Sequence, residues 1–125
     1  MDVMAVAGGK GTLRLHTHGL LDLLWVPGAI LEAEDAAEAL AATMRLSAGR
    51  RLGLIMEIVG VTLEAGARRQ LRALRFVSAV AVVGATDVDR VVAASITRGN
   101  PCPHGFFLAR SEAIEWLRGR PAISC

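Results

Sequence analysis

Apolar and polar residues alternate from Thr12 to Thr17, and this two-residue period is typical of a half-buried strand. A second strand is predicted from Leu20 to Val26, and the turn signal His18-Gly19 between the two predicts an antiparallel hairpin. The second strand places three large apolar side chains on one face: Leu21, Leu23 and Trp25. The residues before the hairpin are small and glycine-rich, so we expect residues 1–11 to form a flexible N-terminal arm.

The rest of the chain alternates between apolar runs and amphipathic segments. Three further strands are predicted, at residues 52–58, 78–84 and 105–109. The first two are nearly continuous apolar runs, which are typical of the interior of a parallel sheet. Four helices are predicted, at residues 32–46, 63–75, 86–98 and 111–118. Hydroxyl residues are the predicted N-caps of the last three helices: Thr62, Thr86 and Ser111. The order ββαβαβαβα predicts an α/β fold with a mixed, mostly parallel five-stranded sheet covered by four helices.

The helical period also predicts which side chains face the sheet. In the first helix the stripe consists of Ala33, Ala36, Ala37, Leu40 and Met44. In the second helix it consists of Leu63, Ala67, Leu71 and Leu74. In the third helix it consists of Val88, Val91, Val92 and Ile96. We expect the alanine-rich first helix to lie close to the sheet.

Composition fits one cytoplasmic domain, which we assign to residues 12–125. The 125 residues match the usual size of one domain, and a hydrophobic fraction of 53% supplies a core. With 14 basic and 12 acidic side chains, the charge balance does not favour nucleic acid or an anionic membrane as a partner. We expect neither a secretion signal nor a membrane span, because the first residues lack a basic region and no apolar run is long enough. The two cysteines, Cys102 and Cys125, are expected to be reduced thiols.

The segment Leu54-Ile55-Met56-Glu57-Ile58-Val59-Gly60-Val61-Thr62 resembles the first interior strand of the STAS superfamily, of which SpoIIAA is the type. The element order matches that superfamily from Thr12 to Arg118. The chain is also similar to small actinobacterial proteins with a SpoIIAA-like fold. Five segments carry this narrower similarity: 25–28, 67–68, 100–101, 106–107 and 113–117. The resemblance implies a noncatalytic regulatory or protein-interaction module that forms a homodimer.

One departure from the superfamily concerns its phosphorylation site. Anti-sigma factor antagonists carry a phosphorylatable serine or threonine where the second helix begins. Here the stretch reads Thr62-Leu63-Glu64-Ala65-Gly66, with Ala65 or Gly66 near the expected position. Thr62 is the only nearby hydroxyl, and a helix cap is the favoured interpretation of it.

The candidate site follows from the predicted sheet, because ligands of open parallel sheets bind beyond the carboxyl ends of the strands. Five residues are nominated there: Glu57, Gly60, Thr62, Thr86 and Asp87. Arg68, Arg72 and Arg75 form a stripe on the second helix with Arg69 beside it, which indicates either an anion-binding face or a solvated surface. Of these, Arg68 and Arg72 join the nominated site. No acid and base pair is evident, so we expect no enzymatic activity and no cofactor.

The sequence does not favour a metal site. His16 and His18 share a strand face, and together with Cys102 and His104 they have the ligand types that zinc prefers. Nothing in the spacing brings the two pairs together, so no metal is expected.

Two functions of different classes remain. The first is the noncatalytic interaction module, acting through the surface around Thr62 and the arginine stripe. The second is a domain that binds a small ligand, an anion, a nucleotide or a lipid, in the crevice at the carboxyl ends of the strands or in the apolar space under one helix.

Overall fold

The computed structural model describes residues 2–120, which form a six-stranded sheet with helices on both faces. The strands are β1 (Asp2–Val6), β2 (Gly11–Leu15), β3 (Leu20–Trp25), β4 (Ile30–Leu31), β5 (Gly53–Glu57), β6 (Thr62–Leu63), β7 (Ala79–Val83) and β8 (His104–Phe107). The helices are α1 (Ala33–Ser47), α2 (Ala65–Arg72), α3 (Asp87–Thr97) and α4 (Arg110–Arg118). A 3-10 helix, Ala7–Gly9, joins β1 to β2.

The large sheet has the order β1-β2-β3-β5-β7-β8. Strands β2 and β3 pair antiparallel, as the predicted hairpin requires, and β1 pairs antiparallel with β2. Strands β3, β5, β7 and β8 pair parallel. The two apolar runs therefore lie side by side in the interior of the sheet, with Leu54 opposite Val80 and Met56 opposite Val82. Strands β4 and β6 form a separate two-stranded parallel sheet.

One face of the sheet carries most of the core. Leu21, Leu23 and Trp25 are each 0% exposed on this face, as the alternation predicts. Small residues of three helices, such as Ala36 of α1 and Ala67 of α2, belong to the same buried cluster, so these helices lie close to the strands. All four residues of the stripe predicted for the second helix are buried, but only Ala67 and Leu71 lie in α2, since Leu63 belongs to β6 and Leu74 follows the helix.

The opposite face of the sheet is covered unevenly. Helix α4 packs on β5, β7 and β8, where Ala113 and Leu117 meet Ile55 in a second buried cluster. On the same face, β2 and β3 present Arg14 and Leu24, which are both exposed. This partly open face contains the charged cluster described below.

The predicted five-stranded sheet and flexible arm are wrong at the N-terminus, because Asp2–Val6 forms edge strand β1. Every residue of β1 pairs with a residue of β2, from Asp2 opposite Leu15 to Val6 opposite Gly11. Glycine at position 11 permits this packing, since a Cβ there would lie 2.8 Å from Trp25 Cε3. The glycines that suggested a loose arm instead form a tight connection within the sheet.

Two of the predicted N-caps are wrong. Thr62 belongs to strand β6, and α2 begins at Ala65 with Glu64 as its N-cap residue. Ser111 lies inside α4, whose N-cap residue is Ala109. Thr86 does cap α3, since its Oγ1 accepts a hydrogen bond of 3.1 Å from the Asp89 N–H.

Two of the predicted buried stripes are rotated. In α1, Met44 is 55% exposed and the buried positions are Ala36, Ala39, Ala42, Thr43 and Ser47. In α3, Val88 is 71% exposed and Val91 is 69% exposed, while Ala93 and Ile96 are buried. Because most residues of these helices are apolar or small, the spacing of apolar residues alone did not determine which face of each helix is buried.

The reduced thiol predicted at Cys102 is also wrong, since this residue is 1% exposed and disulfide-bonded. Cys125 lies outside the described residues. Within residues 2–120, no helix combines the length and the apolar character that crossing a membrane requires.

Candidate functional site

The crevice at the carboxyl ends of β5 and β7 is organised by Asp89, which is 2% exposed. Its Oδ1 accepts a hydrogen bond of 3.0 Å from the Gly60 N–H. Its Oδ2 accepts from the Ala85 N–H at 2.7 Å and from the Thr86 N–H at 3.3 Å. Burial raises the pKa of Asp89, but these hydrogen bonds to its charged form outweigh burial and lower that pKa overall.

The Asp89 carboxylate therefore occupies the position where the N-terminus of α3 would otherwise bind an anion. The spacing Thr86-x-x-Asp89 forms a reciprocal capping box, in which each side chain accepts from the backbone N–H of the other residue. Asp89 was not among the residues nominated from the sequence. The spacing Thr86-x-x-Asp89 is a local pattern from which the capping box could have been predicted. The hydrogen bond from Gly60 spans 29 residues, so no local sequence pattern could have predicted it.

The structure brings together some of the nominated residues. Gly60, Thr62 and Arg68 line one cleft of about 410 Å³ between α2 and α3. Arg72 lines a neighbouring cleft of about 470 Å³. Thr86, Asp87 and Glu57 line neither of these clefts. Thr86 and Asp87 are exposed at the start of α3.

These two adjoining clefts form what we call the α2–α3 groove. Six residues define it: Thr62, Arg68, Arg72, Val88, Val91 and Arg98. The two valines lie one helical turn apart on α3 and are largely exposed, so the groove combines an apolar strip with three cationic side chains.

Backbone carbonyls orient the arginines of this groove. Arg68 Nη1 donates to the Leu63 carbonyl at 2.7 Å, and Arg72 Nε donates to the Ser95 carbonyl at 2.8 Å. A guanidinium has five N–H donors, so one such bond fixes its position without neutralising its charge. Arg75 is oriented differently, since its Nη1 donates to the carbonyls of Arg72 and Leu74 at the end of α2.

A second polar cluster lies on the partly open face of the sheet and was missed by the sequence analysis. Asp22 of β3 is 5% exposed and forms a bidentate ion pair with Arg110, with distances of 2.5 Å from Nη2 to Oδ2 and 3.3 Å from Nη1 to Oδ1. His16 Nε2 lies 3.1 Å from Asp22 Oδ2, and Glu57 Oε1 lies 3.5 Å from Arg110 Nη1. The nominated Glu57 thus faces away from the α2–α3 groove.

The ion pair between Arg110 and Asp22 links α4 to β3 of the sheet. Burial lowers the pKa of Arg110, but its hydrogen bonds and the charges of Asp22 and Glu57 raise that pKa overall. The guanidinium therefore stays charged and holds the Asp22 carboxylate in place. Asp22 and Arg110 are separated by 88 positions, so no local pattern could have paired them.

The histidine and cysteine pairs weighed as zinc ligands lie far apart in the sheet. His16 follows β2 and His104 begins β8, with β3, β5 and β7 between these two strands. In the part of the chain that the structure describes, no group of three or more potential ligands is placed to hold a metal ion.

Comparison with solved structures identifies the architecture. The chain is similar to an uncharacterized protein of the DUF3478 family from Shewanella loihica PV-4, whose crystal structure has a SpoIIAA-like fold. The TM-score is 0.63 at 16% sequence identity, and the match covers 94% of this chain and 97% of that chain. This chain has a SpoIIAA-like fold. Neither a protein-family model nor a curated protein matches it.

The SpoIIAA-like fold confirms the α/β class and the kind of fold that the resemblance implied. The narrower similarity to actinobacterial proteins stays a prediction. At the start of α2, a Cβ added to Gly66 would lie 2.7 Å from the Cβ of Ala33, so a serine would not fit there without movement of α1. Thr62 is exposed in β6, where it pairs with Ile30.

Proposed function

We propose that the protein is a noncatalytic regulatory module that binds an acidic partner protein through the α2–α3 groove. The observation that carries this proposal is the exposure of Val88 and Val91, at 71% and 69%, beside oriented arginines. Two apolar side chains one turn apart on a helix are a common recognition pattern between proteins. The resemblance to STAS proteins supports a regulatory role, and the cytoplasmic location expected from the sequence is part of the same proposal.

The contributions of the two kinds of side chain differ. Covering each valine contributes about 1.5 kcal/mol if the partner buries it fully. Arg68, Arg72 and Arg98 would attract an acidic surface and accelerate association, with an effect that weakens as salt rises. The groove therefore favours a partner that combines apolar side chains with a surplus of Asp and Glu.

The alternative is a small-ligand domain that uses the crevice at the carboxyl ends of the strands. The Asp89 carboxylate argues against an anionic ligand there, because it already accepts hydrogen bonds from three backbone N–H groups. A nucleotide phosphate brought to this position would meet a like charge.

Affinity capture from native extract, followed by titration of the purified captured protein, tests the proposal. We expect Val91→Glu and Arg72→Glu each to weaken binding at least tenfold. The matched control is Val26→Glu, because Val26 is 49% exposed and lies outside the groove. Equal binding of the same partner by wild type and by both groove variants would overturn the assignment. The predicted homodimer is tested separately, by light scattering over a range of protein concentrations.

A further inference from the structure

A pocket of about 350 Å³ lies at the opposite end of the sheet, where the amino ends of β3, β5 and β7 meet α4. None of the residues that define the α2–α3 groove lines it. Its volume falls near the lower end of the range of roughly 300–1,000 Å³ that is usual for ligand pockets. It therefore suits a small molecule and not a folded partner.

The inner wall of the pocket is apolar. Leu20 of β3 and two residues of α4, Ile114 and Leu117, contribute side chains to it. Gly53 begins β5 between these side chains, and a Cβ there would lie 3.2 Å from Leu117 Cδ2 and 3.5 Å from Leu20 Cδ1. The glycine allows Leu20 and Leu117 to approach each other and form a continuous apolar surface.

The rim of the pocket is strongly basic. Four arginines and two histidines line it, and its described lining contains no Asp or Glu. Arg110 is neutralised by Asp22, whereas Arg51, Arg118 and Arg120 form no ion pair with a carboxylate of residues 2–120. Three uncompensated positive charges above an apolar wall are the complement of a molecule with an anionic head and an apolar tail.

Local contacts hold two of these cations at the rim. Arg51 Nη1 donates to the Arg75 carbonyl at 2.9 Å, and the Arg120 guanidinium lies 4.8 Å from the Trp116 ring centroid. Ser78 adds a polar group that is 8% exposed, lines the pocket and forms no side-chain hydrogen bond to a described residue. An anionic head would supply an acceptor for this hydroxyl as well as for the guanidinium groups.

We propose that this pocket binds an amphipathic organic anion, with its carboxylate or phosphate among Arg51, Arg118 and Arg120 and its apolar chain against Leu20 and Ile114. The size of the pocket limits that chain to medium length. The inference does not depend on the proposed partner groove, and the two have separate tests.

Calorimetric titration of the intact chain with four probes tests this inference: octanoate, octyl phosphate, octanol and inorganic phosphate. We expect at least one of the two amphipathic anions to bind at least tenfold more tightly than both octanol and inorganic phosphate. The preference between octanoate and octyl phosphate identifies the head group. Absence of binding by both amphipathic anions, or binding of inorganic phosphate or octanol as tight as theirs, would overturn the proposal.

Two variants locate the binding. Arg51→Ala combined with Arg118→Ala should lower the affinity for the amphipathic anion at least tenfold, because it removes two of the three cations proposed to hold the anionic head. Both arginines are surface cations, so their loss leaves the core intact. The matched control is Arg45→Ala, an exposed arginine of α1 outside the pocket. Ile114→Asp should also abolish binding by placing a negative charge on the apolar wall, and circular dichroism checks that each variant is folded. Unchanged affinity in the double variant would show that the anion binds elsewhere.

Discussion

Replacing Asp89 with alanine should destabilise the protein more than any other change to a single carboxylate at the start of α3. The substitution removes the acceptor of three backbone N–H groups, at 2.7, 3.0 and 3.3 Å. Hydrogen bonds to a charged acceptor typically contribute about 1.5–3 kcal/mol each. Gly60, Ala85 and Thr86 are exposed residues, so water can replace part of what is lost. We therefore expect a loss of about 3 kcal/mol in the free energy of unfolding.

Urea denaturation followed by circular dichroism and tryptophan fluorescence measures this loss. Asp87→Ala is the matched control, because Asp87 lies in the same first turn but is exposed. Its loss should cost only about 0.3–1 kcal/mol, the usual contribution of a charge to the helix dipole. The reasoning is refuted if the two variants lose the same stability.

The same carboxylate predicts a dependence on pH. The pKa of Asp89 is lowered in the folded protein relative to its ordinary value, which is about 3.9 in an unfolded chain. Its stabilising contribution is therefore fully present above about pH 4 and is lost as the pH falls through the folded-state pKa. The stability difference between wild type and Asp89→Asn should be constant from pH 7 to pH 5 and should shrink below pH 4. A difference that stays constant down to pH 2 would contradict the assignment.

Two further changes test the contacts of α2 and α4. Gly66→Ser should cost about 1–3 kcal/mol in thermal unfolding, because the new Cβ meets Ala33 at 2.7 Å, whereas Ala65→Ser at the neighbouring exposed position should cost much less. Equal losses of stability in these two variants would show that α1 shifts at little cost to accommodate the new side chain. Arg110→Ala should cost about 2 kcal/mol in urea denaturation, because it leaves the Asp22 carboxylate buried without its main partner. Adding Asp22→Asn should restore part of this loss, and a double variant no more stable than Arg110→Ala would argue against the ion pair.

The sequence predicted the elements that have strong local signals. The apolar runs beginning at Leu52 and Ser78 could be buried on both faces only inside a parallel sheet, and they became β5 and β7. Thr86 as a predicted N-cap identified the start of α3, since an N-cap acts within one helical turn. Of the nominated residues, Gly60, Thr62 and Arg68 line one cleft, whereas Glu57 lies beside Arg110 on the other side of the sheet, and no local pattern distinguished these outcomes.

Tertiary structure decided whatever depends on residues far apart in the chain. Strand β1 exists because β2 offers it a free edge, and the exposure of Val88 and Val91 was set by how α3 docks against the sheet. Asp22 meets Arg110 across 88 positions, and the lining of the amino-end pocket draws on four separate segments. Periodicity and capping act over a few residues and can be read from the sequence. Pairing, helix rotation and charge clusters depend on how the packed elements are arranged, and only the folded chain determines that.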